Sequence, residues 1–317
     1  MIGEALPDVR TEDWALCQTI ARAHGRSFFL ASRLLGADRR RSILAAYAYC
    51  RMADDIVDES NGDSERVADR LAAWEQELEQ PRHPVAVAFA HARIRYDIPE
   101  RPVRELFDGM RADLSINRYA NWPELRVYCH QVAGTVGLIV APILGCCEQA
   151  ALPRAAELGI AMQLTNILRD VKEDAAMGRV YLPLDELERF GIDPDALHVG
   201  EPGRRFPELM QFQIARARDL YASALTGVTS LSPSGQLTTL AAARLYAGIL
   251  DQIEANQYDV FSARAVVPRN RKARSTAGAA VQFLQFSTAA AWSSFRSDSP
   301  NNGSVCGREG DIEGWIP

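Results

Sequence analysis

The sequence predicts a single all-α domain around a central cavity. Apolar residues recur every three to four positions through most of the 317 residues, and no stretch shows the convincing alternation of apolar and polar residues that is typical of strands. Capping residues, glycines and prolines divide this pattern into separate helices. We expect residues 1–296 to form the domain and the polar residues 297–317 to form a disordered tail.

The predicted helices have recognisable starts and stops. Thr11 is a candidate capping residue followed by two acids, which suit the positive end of a helix. Ser64 can cap a helix that Pro81 stops, and Pro183 opens a short helix. Residues 192–206 are rich in Gly, Pro and charge and predict a loop. The other predicted helices cover residues 39–59, 84–96, 102–118, 123–147, 153–174, 207–230, 235–258 and 279–295.

The composition is that of a soluble globular protein, with 47% hydrophobic and 24% charged residues. A net charge of −6 argues against a nucleic-acid partner. The N-terminus lacks the basic start and apolar core of a signal peptide. The longest apolar run, residues 132–147, is shorter than the roughly 20 residues that span a bilayer. We expect a cytoplasmic protein, with peripheral membrane contact and oligomeric state left open.

The cysteines show neither a zinc-binding pattern nor a secreted disulfide framework. We expect reduced, mostly buried thiols, as is usual in a cytosolic protein. The six positions are Cys17, Cys50, Cys129, Cys146, Cys147 and Cys306.

Two pairs of aspartates at four-residue spacing are the most informative motif. Asp54 and Asp58 lie in one apolar stretch, and Asp170 and Asp174 lie in another. Residues four apart share one face of a helix, about 6 Å apart at Cβ, so the carboxylates repel each other unless a positive group lies between them. Mg²⁺ held by a few carboxylates usually shares its shell with water and phosphate oxygens. The two pairs therefore predict a cavity that binds Mg²⁺ and a diphosphate.

The first pair shares its helix face with Tyr47 and Arg51. An arginine can bind a diphosphate through two hydrogen bonds while the aspartates bind its metal. The alternative interpretation of this segment is a solvated helix end, where acidic clusters are common.

The second pair shares its face with Gln163 and Asn166, which complete a 3-4-4 spacing. Asn and Asp oxygens are hard ligands that suit Mg²⁺. A solvated face would not need these amides between apolar residues, so the solvated interpretation is weaker here. Arg169 and Lys172 flank the pair and could hold phosphate.

Two further segments leave alternatives open. Gly134 and Gly137 lie inside an apolar helix, where each glycine costs about 1 kcal/mol. Close helix packing and a ligand against the backbone both explain these glycines. We interpret the nearby His130 as a packed histidine rather than a metal ligand. Residues 178–183, Gly-Arg-Val-Tyr-Leu-Pro, fit either a simple helix entry or a lid over the metal site.

These motifs resemble the squalene and phytoene synthases, which are head-to-head trans-prenyltransferases. The resemblance runs from about residue 15 to about residue 270 and is strongest to phytoene synthases. Four positions depart from the family's commonest pattern, and none removes a metal ligand. The departures are Gly36, His130, Gln131 and Met177, and the segments that carry the resemblance are residues 24–28, 47–58, 128–137, 163–174 and 179–183.

The resemblance implies an isoprenoid synthase fold with a deep apolar pocket, and it implies roles for particular residues. The implied Mg²⁺ ligands are Asp54, Asp58, Asn166, Asp170 and Asp174. The implied contacts with the diphosphate or prenyl substrate are His24, Gly25, Arg26, Ser27, Tyr47, Arg51, Gln163, Asn166, Arg169 and Tyr246, with Arg264 a weaker candidate. The catalytic group comprises Asp54, Asp58, Arg51, Asp170, Asp174 and Tyr246.

The implied reaction joins two prenyl diphosphates through a cyclopropyl diphosphate to give phytoene, in carotenoid biosynthesis. Mg²⁺ is the expected cofactor, Mn²⁺ could replace it, and NADPH is not expected. Ser32, one turn after Phe28, leaves room in the pocket and favours a C20 over a C15 substrate. The alternatives are a C15-using squalene or dehydrosqualene synthase, a head-to-tail chain-elongating synthase, and a non-catalytic assembly factor on the same scaffold.

Overall fold

The computed structural model describes residues 7–58, 64–146, 148–268 and 278–283. These residues form thirteen α-helices and no strand, which confirms the predicted all-α fold. Residues 278–283 are helical as well, and the proposed tail lies outside the described residues. The helices are α1 (Thr11–His24), α2 (Arg26–Ser32), α3 (Ala37–Asp58), α4 (Ser64–Gln76), α5 (Pro84–Tyr96), α6 (Glu100–Ala112), α7 (Trp122–Cys129), α8 (Thr135–Ile143), α9 (Leu152–Arg169), α10 (Val171–Ala176), α11 (Leu184–Arg189), α12 (Phe206–Leu225) and α13 (Pro233–Ala255).

The apolar core has two large parts. In the first, α3 packs on α1 and α5, and the ring of Tyr49 stacks between Trp74 and Phe89 at 5.0 and 4.5 Å. In the second, α9 packs on α12 and α13, with Leu164 and Leu168 fully buried. Each part therefore buries one aspartate-bearing helix, and the polar faces of α3 and α9 are held in place by this packing.

Several predicted helices are shorter or more interrupted than the apolar pattern suggests. The helix predicted over 102–118 ends at Ala112. The helix predicted over 153–174 breaks at Asp170, whose φ of −106° and ψ of 17° are not helical. Prediction 123–147 contains a π-helical turn over His130–Gly134 and ends at Ile143. Apolar periodicity continues through such breaks because the neighbouring turns pack on the same core.

Smaller corrections concern helix ends. Thr11 is the first helical residue rather than the cap, because the Asp13 carboxylate accepts the Arg10 N–H at 3.0 Å. Predictions 207–230 and 235–258 end earlier, at Leu225 and Ala255. A short 3-10 turn also lies within the predicted loop 192–206.

The glycines of the apolar stretch are explained by helix packing. A Cβ at Gly137 would lie 2.1 Å from the Ala155 carbonyl oxygen, and a Cβ at Gly159 would lie 2.1 Å from that of Ala133. The backbones of the π turn, α8 and α9 therefore touch directly. Of the two interpretations left open, close packing is confirmed for Gly137.

Among the described cysteines, Cys17, Cys50 and Cys129 are buried free thiols, as predicted. Within the described residues, no helix is both long and apolar enough to cross a membrane.

Candidate functional site

The first aspartate pair lies on the last two turns of α3. The Arg51 guanidinium donates to Asp55 and lies 3.5 Å from Asp58 Oδ2. Asp54, one residue before Asp55, makes no hydrogen bond or ion pair with any described residue. Burial raises the pKa of Asp54 to about 7, and the neighbouring Asp58 adds to that rise while Arg51 opposes it. This half-buried carboxylate is therefore an acceptor without a donor among the described residues.

The second pair straddles the break between α9 and α10. Arg169 donates to Asp170 from the preceding residue, and Arg264 donates both Nε and Nη2 to the same carboxylate at 2.7 Å. Burial opposes ionisation of Asp170, but these two arginines outweigh it and lower its pKa. Asn166 donates to the Gln163 side chain at 3.4 Å, so the two amides adjoin as the spacing predicts.

Asp174 is the uncompensated member of the second pair. Burial raises its pKa to about 8 and Asp170 adds to the rise, whereas Arg179 lowers it. Within the described residues, its side chain makes no hydrogen bond or ion pair. Like Asp54, it is a half-buried carboxylate that lacks a partner in the part of the chain that the structure describes.

A third carboxylate, Asp113, was missed by the sequence reasoning. It accepts the hydroxyls of Tyr128 at 2.8 Å and Tyr181 at 3.0 Å, and these two rings stack at 5.2 Å. Burial raises the pKa of Asp113 while Tyr128 and Arg179 lower it. Its charge acts on both Asp54 and Asp174, so it lies between the two pairs.

No local sequence pattern marks Asp113 as a site residue. Asp113 follows α6 directly, inside a stretch predicted as helix, and no second carboxylate stands four residues away. Its partner Tyr181 belongs to the segment 178–183, whose Val180 N–H donates to Asn117 at 2.8 Å. The segment 178–183 thus packs against Asp113. A simple helix entry would not need these contacts, so they favour a cover over the site.

The segment between α1 and α2 lies against the α3 face. A Cβ at Gly25 would lie 2.6 Å from Tyr47 Cζ, and the Phe28 ring stacks on Tyr47 at 5.0 Å. Gly25 and Tyr47 are thereby brought together as predicted. Ser27 is half-buried, and the side chains of His24 and Arg26 point to solvent.

Tyr246 on α13 lies between the two pairs. Burial raises its pKa, and Arg169 opposes the rise. Its hydroxyl also acts electrostatically on Tyr47, which carries the α3 side of the site. The predicted substrate contacts on α3, α9 and α13 therefore share one region.

Three other sequence predictions have specific outcomes. The Lys172 ammonium donates to the Phe261 carbonyl at 2.6 Å, so its predicted phosphate contact stays a prediction. His130 Nε2 lies 3.8 Å from Glu105, as suits a packed histidine. Ser32 is fully buried and donates to the Phe29 carbonyl at 2.8 Å, so its role in substrate length stays a prediction.

The predicted site residues lie in a region of the chain that matches a known protein family. The squalene/phytoene synthase family model matches residues 21–271, which is most of the chain. The chain belongs to the squalene/phytoene synthase family. This match includes every predicted site residue, and it ends close to where the notable motifs end.

Curated members of the squalene/phytoene synthase family align over most of their length. A phytoene synthase from Arthrospira platensis is 40% identical over 84% of this chain and 92% of its own. A 15-cis-phytoene synthase from Synechococcus elongatus is 39% identical over 83% of this chain and 90% of its own. Phytoene synthase 2 from Solanum lycopersicum is 40% identical, covering 83% and 88%.

Solved structures of the squalene/phytoene synthase family share the fold. A dehydrosqualene synthase in complex with ligand superposes with a TM-score of 0.80 at 29% identity, covering 86% of this chain and 97% of the other. A squalene synthase from Alicyclobacillus acidocaldarius superposes with a TM-score of 0.71 at 26% identity, covering 78% and 95%. The all-α fold is thus that of this family.

The donor set fits a hard divalent cation even though no three acidic, His or Cys side chains are gathered as a ready-made cluster among the described residues. Asp54 and Asp174 are half-buried carboxylates without a donor among the described residues, and each has another carboxylate nearby. Burying such a charge is costly unless something positive pairs with it. Oxygen ligands of this kind match the preference of Mg²⁺ or Mn²⁺.

Proposed function

We infer that this protein joins two molecules of geranylgeranyl diphosphate head to head and makes phytoene in carotenoid biosynthesis. The observation that carries this inference is 40% identity to curated phytoene synthases over more than four-fifths of the chain. The site supports it, because two partly uncompensated carboxylate pairs and several arginines face one region. Such a set suits substrates that carry diphosphates.

The metal-binding residues in this proposal are those with hard oxygen donors. Asp54 and Asp174 are free to bind because no described residue donates to them. Bound Mg²⁺ would neutralise charge on the leaving diphosphate and so favour formation of an allylic cation. The remaining proposed ligands are Asp58, Asn166 and Asp170.

Arginines bind and orient the diphosphates in this proposal. Arg51 has a buried Nε without a partner among the described residues, so it can donate to a phosphate oxygen. Arg169 and Arg264 hold Asp170 from two sides, and their remaining donors are available for a second diphosphate. Residues 24–27 approach the same face through the contact of Gly25 with Tyr47.

The allylic cation needs a dry site and a route for the proton that it loses. An allylic cation is quenched by water, so a dry site is required. Tyr246 is half-buried between the two pairs and stays protonated because burial raises its pKa. We propose that Tyr246 orients the prenyl chain or relays the proton that is lost when the triene forms to the released diphosphate, giving up its own hydroxyl proton as it accepts the new one.

The function is tested by product analysis. The purified protein is incubated with the C20 diphosphate in the presence of Mg²⁺ or EDTA, and the hydrocarbon is identified by mass. We expect a C40 triene only with Mg²⁺ and independent of NADPH. Absence of any C40 product under these conditions overturns the proposal.

The second candidate is a C15-using dehydrosqualene synthase. The superposition with a dehydrosqualene synthase at a TM-score of 0.80 favours it, although the identity of 29% is lower than that to the phytoene synthases. A parallel incubation with the C15 diphosphate distinguishes the two. Exclusive use of that substrate would establish the second candidate.

A further inference from the structure

Asp113 is a half-buried carboxylate to which the proposed reaction gives no task. It accepts the hydroxyls of Tyr128 and Tyr181 at 2.8 and 3.0 Å, and these two hydroxyl oxygens lie 3.3 Å apart. The two tyrosines are only 5% and 6% exposed. Hydrogen bonds to an ionised acceptor are stronger than those between neutral groups, and a buried hydroxyl that loses its acceptor is destabilising. The carboxylate therefore fixes two rings that come from distant parts of the chain.

Tyr181 belongs to residues 178–183, which we call the cover segment. The backbone of this segment runs parallel to residues 117–120, where the Val180 N–H donates to the Asn117 carbonyl at 2.8 Å. The side-chain contact of Tyr181 with the carboxylate after α6 adds to this backbone contact. The cover segment is therefore tied to the chain that follows α6.

The two ends of the cover segment are held by other contacts. At its start, the Arg179 N–H donates to the Asp174 carbonyl at 2.9 Å. Beyond its end, α11 carries Glu186, which is 8% exposed and accepts two hydrogen bonds from Arg216 of α12, at 2.5 and 3.0 Å. The ends can therefore stay in place when the middle, which Tyr181 anchors, is released.

The closed cover segment leaves little room for water beside the second aspartate pair. Asp174, Tyr181 and Leu182 line a cavity of about 10 Å³. A water molecule needs roughly 10–15 Å³ of such space. The closed segment therefore leaves room for no more than about one water on this side of Asp174.

We propose that Asp113 is a positioning residue, which keeps the cover segment closed through Tyr181 and so protects the allylic cation from water. This inference rests on the proposed function, which supplies the cation. The cation forms when the C–O bond to the diphosphate breaks. A water that reaches it forms a new C–O bond and gives a proton to the released diphosphate, so that a C20 alcohol forms instead of a C40 hydrocarbon. The ratio of alcohol to hydrocarbon therefore measures how well the site excludes water.

Product partition tests the positioning role. The wild type, Asp113→Ala and Tyr181→Phe are incubated with the C20 diphosphate and Mg²⁺ in ¹⁸O-enriched water, and both products are quantified from one extract. We expect the ratio of alcohol to hydrocarbon to rise at least about tenfold in Asp113→Ala and at least about threefold in Tyr181→Phe. The alcohol should carry ¹⁸O, because water attacks carbon. A loss of folded protein lowers both products together and leaves the ratio unchanged.

Two further variants are matched controls. Tyr49→Phe removes a buried hydroxyl that donates to the Trp74 carbonyl at 3.3 Å, in the other part of the core, and should keep the wild-type ratio. Asp113→Asn can accept one tyrosine hydroxyl and donate to the other, so its ratio should stay within about threefold of the wild type.

Several outcomes overturn the positioning role. These are an unchanged ratio in Asp113→Ala, an equal rise in Tyr49→Phe, and alcohol without ¹⁸O, which indicates cleavage of the P–O bond instead. A ratio in Asp113→Asn as high as that in Asp113→Ala would assign the effect to the charge of Asp113 rather than to its hydrogen bonds.

Hydrogen exchange tests the cover segment without any reaction. Peptides that span residues 178–185 should exchange at least about tenfold faster in Asp113→Ala than in the wild type, whereas peptides from α5 should exchange alike. Unchanged exchange overturns the role of Asp113, and if the wild type still makes the C40 hydrocarbon, the proposed function stands. Faster exchange with no C40 product from the wild type means that the proposed function fails while Asp113 still holds the cover segment.

Discussion

The two aspartate pairs balance their charge in different ways. On α3, Arg51 belongs to the same unbroken helix as Asp55 and Asp58, which it neutralises. At the break between α9 and α10, Asp170 is neutralised by its neighbour Arg169 and by Arg264, which stands 94 residues later. One pair is therefore balanced within its helix, and the other depends on a distant segment.

Within the described ranges of the chain, each pair nevertheless leaves one carboxylate without a partner. On α3 this is Asp54, the first of its pair, and in α10 it is Asp174, the second of its pair. Arginines hold the other member of each pair. In the proposed function all four carboxylates bind metal, and the arginine-held member of each pair also fixes the position of its arginine.

The largest expected effect concerns the free carboxylate on α3. Asp54→Ala should lower product formation from the C20 diphosphate by at least about a thousandfold, because a proposed metal ligand is lost. Asp55→Ala is the matched control on the adjacent residue and should lose about tenfold or less, since it only releases Arg51. Steady-state assays with Mg²⁺ compare the two. Equal losses, or an active Asp54→Ala variant, contradict the assignment and favour a non-catalytic role.

A smaller effect is expected at the long-range arginine. Arg264→Gln should reduce kcat/KM by about 10- to 100-fold, since charged hydrogen bonds to Asp170 are removed. Arg218→Gln removes a similar double contact, to Asp251 and Glu254 on the surface, and serves as the control. If both variants lose activity alike, Arg264 has no special part in the site.

The cluster around Asp113 should affect stability. Tyr181→Phe should cost about 1–2 kcal/mol of unfolding free energy, because the half-buried Asp113 carboxylate loses a donor. Tyr119→Phe is the control, since its buried hydroxyl has no hydrogen-bond partner among the described residues. Urea denaturation measures both, and a Tyr119→Phe loss as large as that of Tyr181→Phe argues against the cluster.

The smallest effect is a pH dependence in the metal-free protein. The folded-state pKa values of Asp54 and Asp174, about 7 and about 8, lie above the value near 4 of an unfolded aspartate. The folded state therefore holds protons that the unfolded state has lost, and stability falls as pH rises from about 4 to about 8.

Removing both charges checks this dependence. Without metal at pH 8.5, Asp54→Asn/Asp174→Asn should melt at least about 2 °C above the wild type, with a smaller difference at pH 5. Added Mg²⁺ should stabilise the wild type alone. A difference that is the same at both pH values contradicts the assigned pKa shifts.

The sequence predicted what depends on local spacing. The all-α fold, the face of α3 and the adjacency of Gln163 and Asn166 follow from helical periodicity, and the structure confirms them. Glycines in an apolar stretch left two interpretations open, and only the neighbouring helix shows why Gly137 must lack a side chain.

What the sequence missed depends on contacts between distant residues. Asp113 receives donors from positions 15 and 68 residues away, and no local pattern links them. The break at Asp170 was hidden because apolar periodicity continues across it into α10. Arg264 was only a weaker candidate, since its partner lies in another helix.

The most direct test of the account is a competition between substrates. The wild type is given an equimolar mixture of the C20 and C15 diphosphates with Mg²⁺, and the C40, C35 and C30 hydrocarbons are quantified by mass. We predict that the C40 product exceeds the C30 product by at least about tenfold. A predominance of C30 hydrocarbon would contradict the proposal that the protein joins two C20 units.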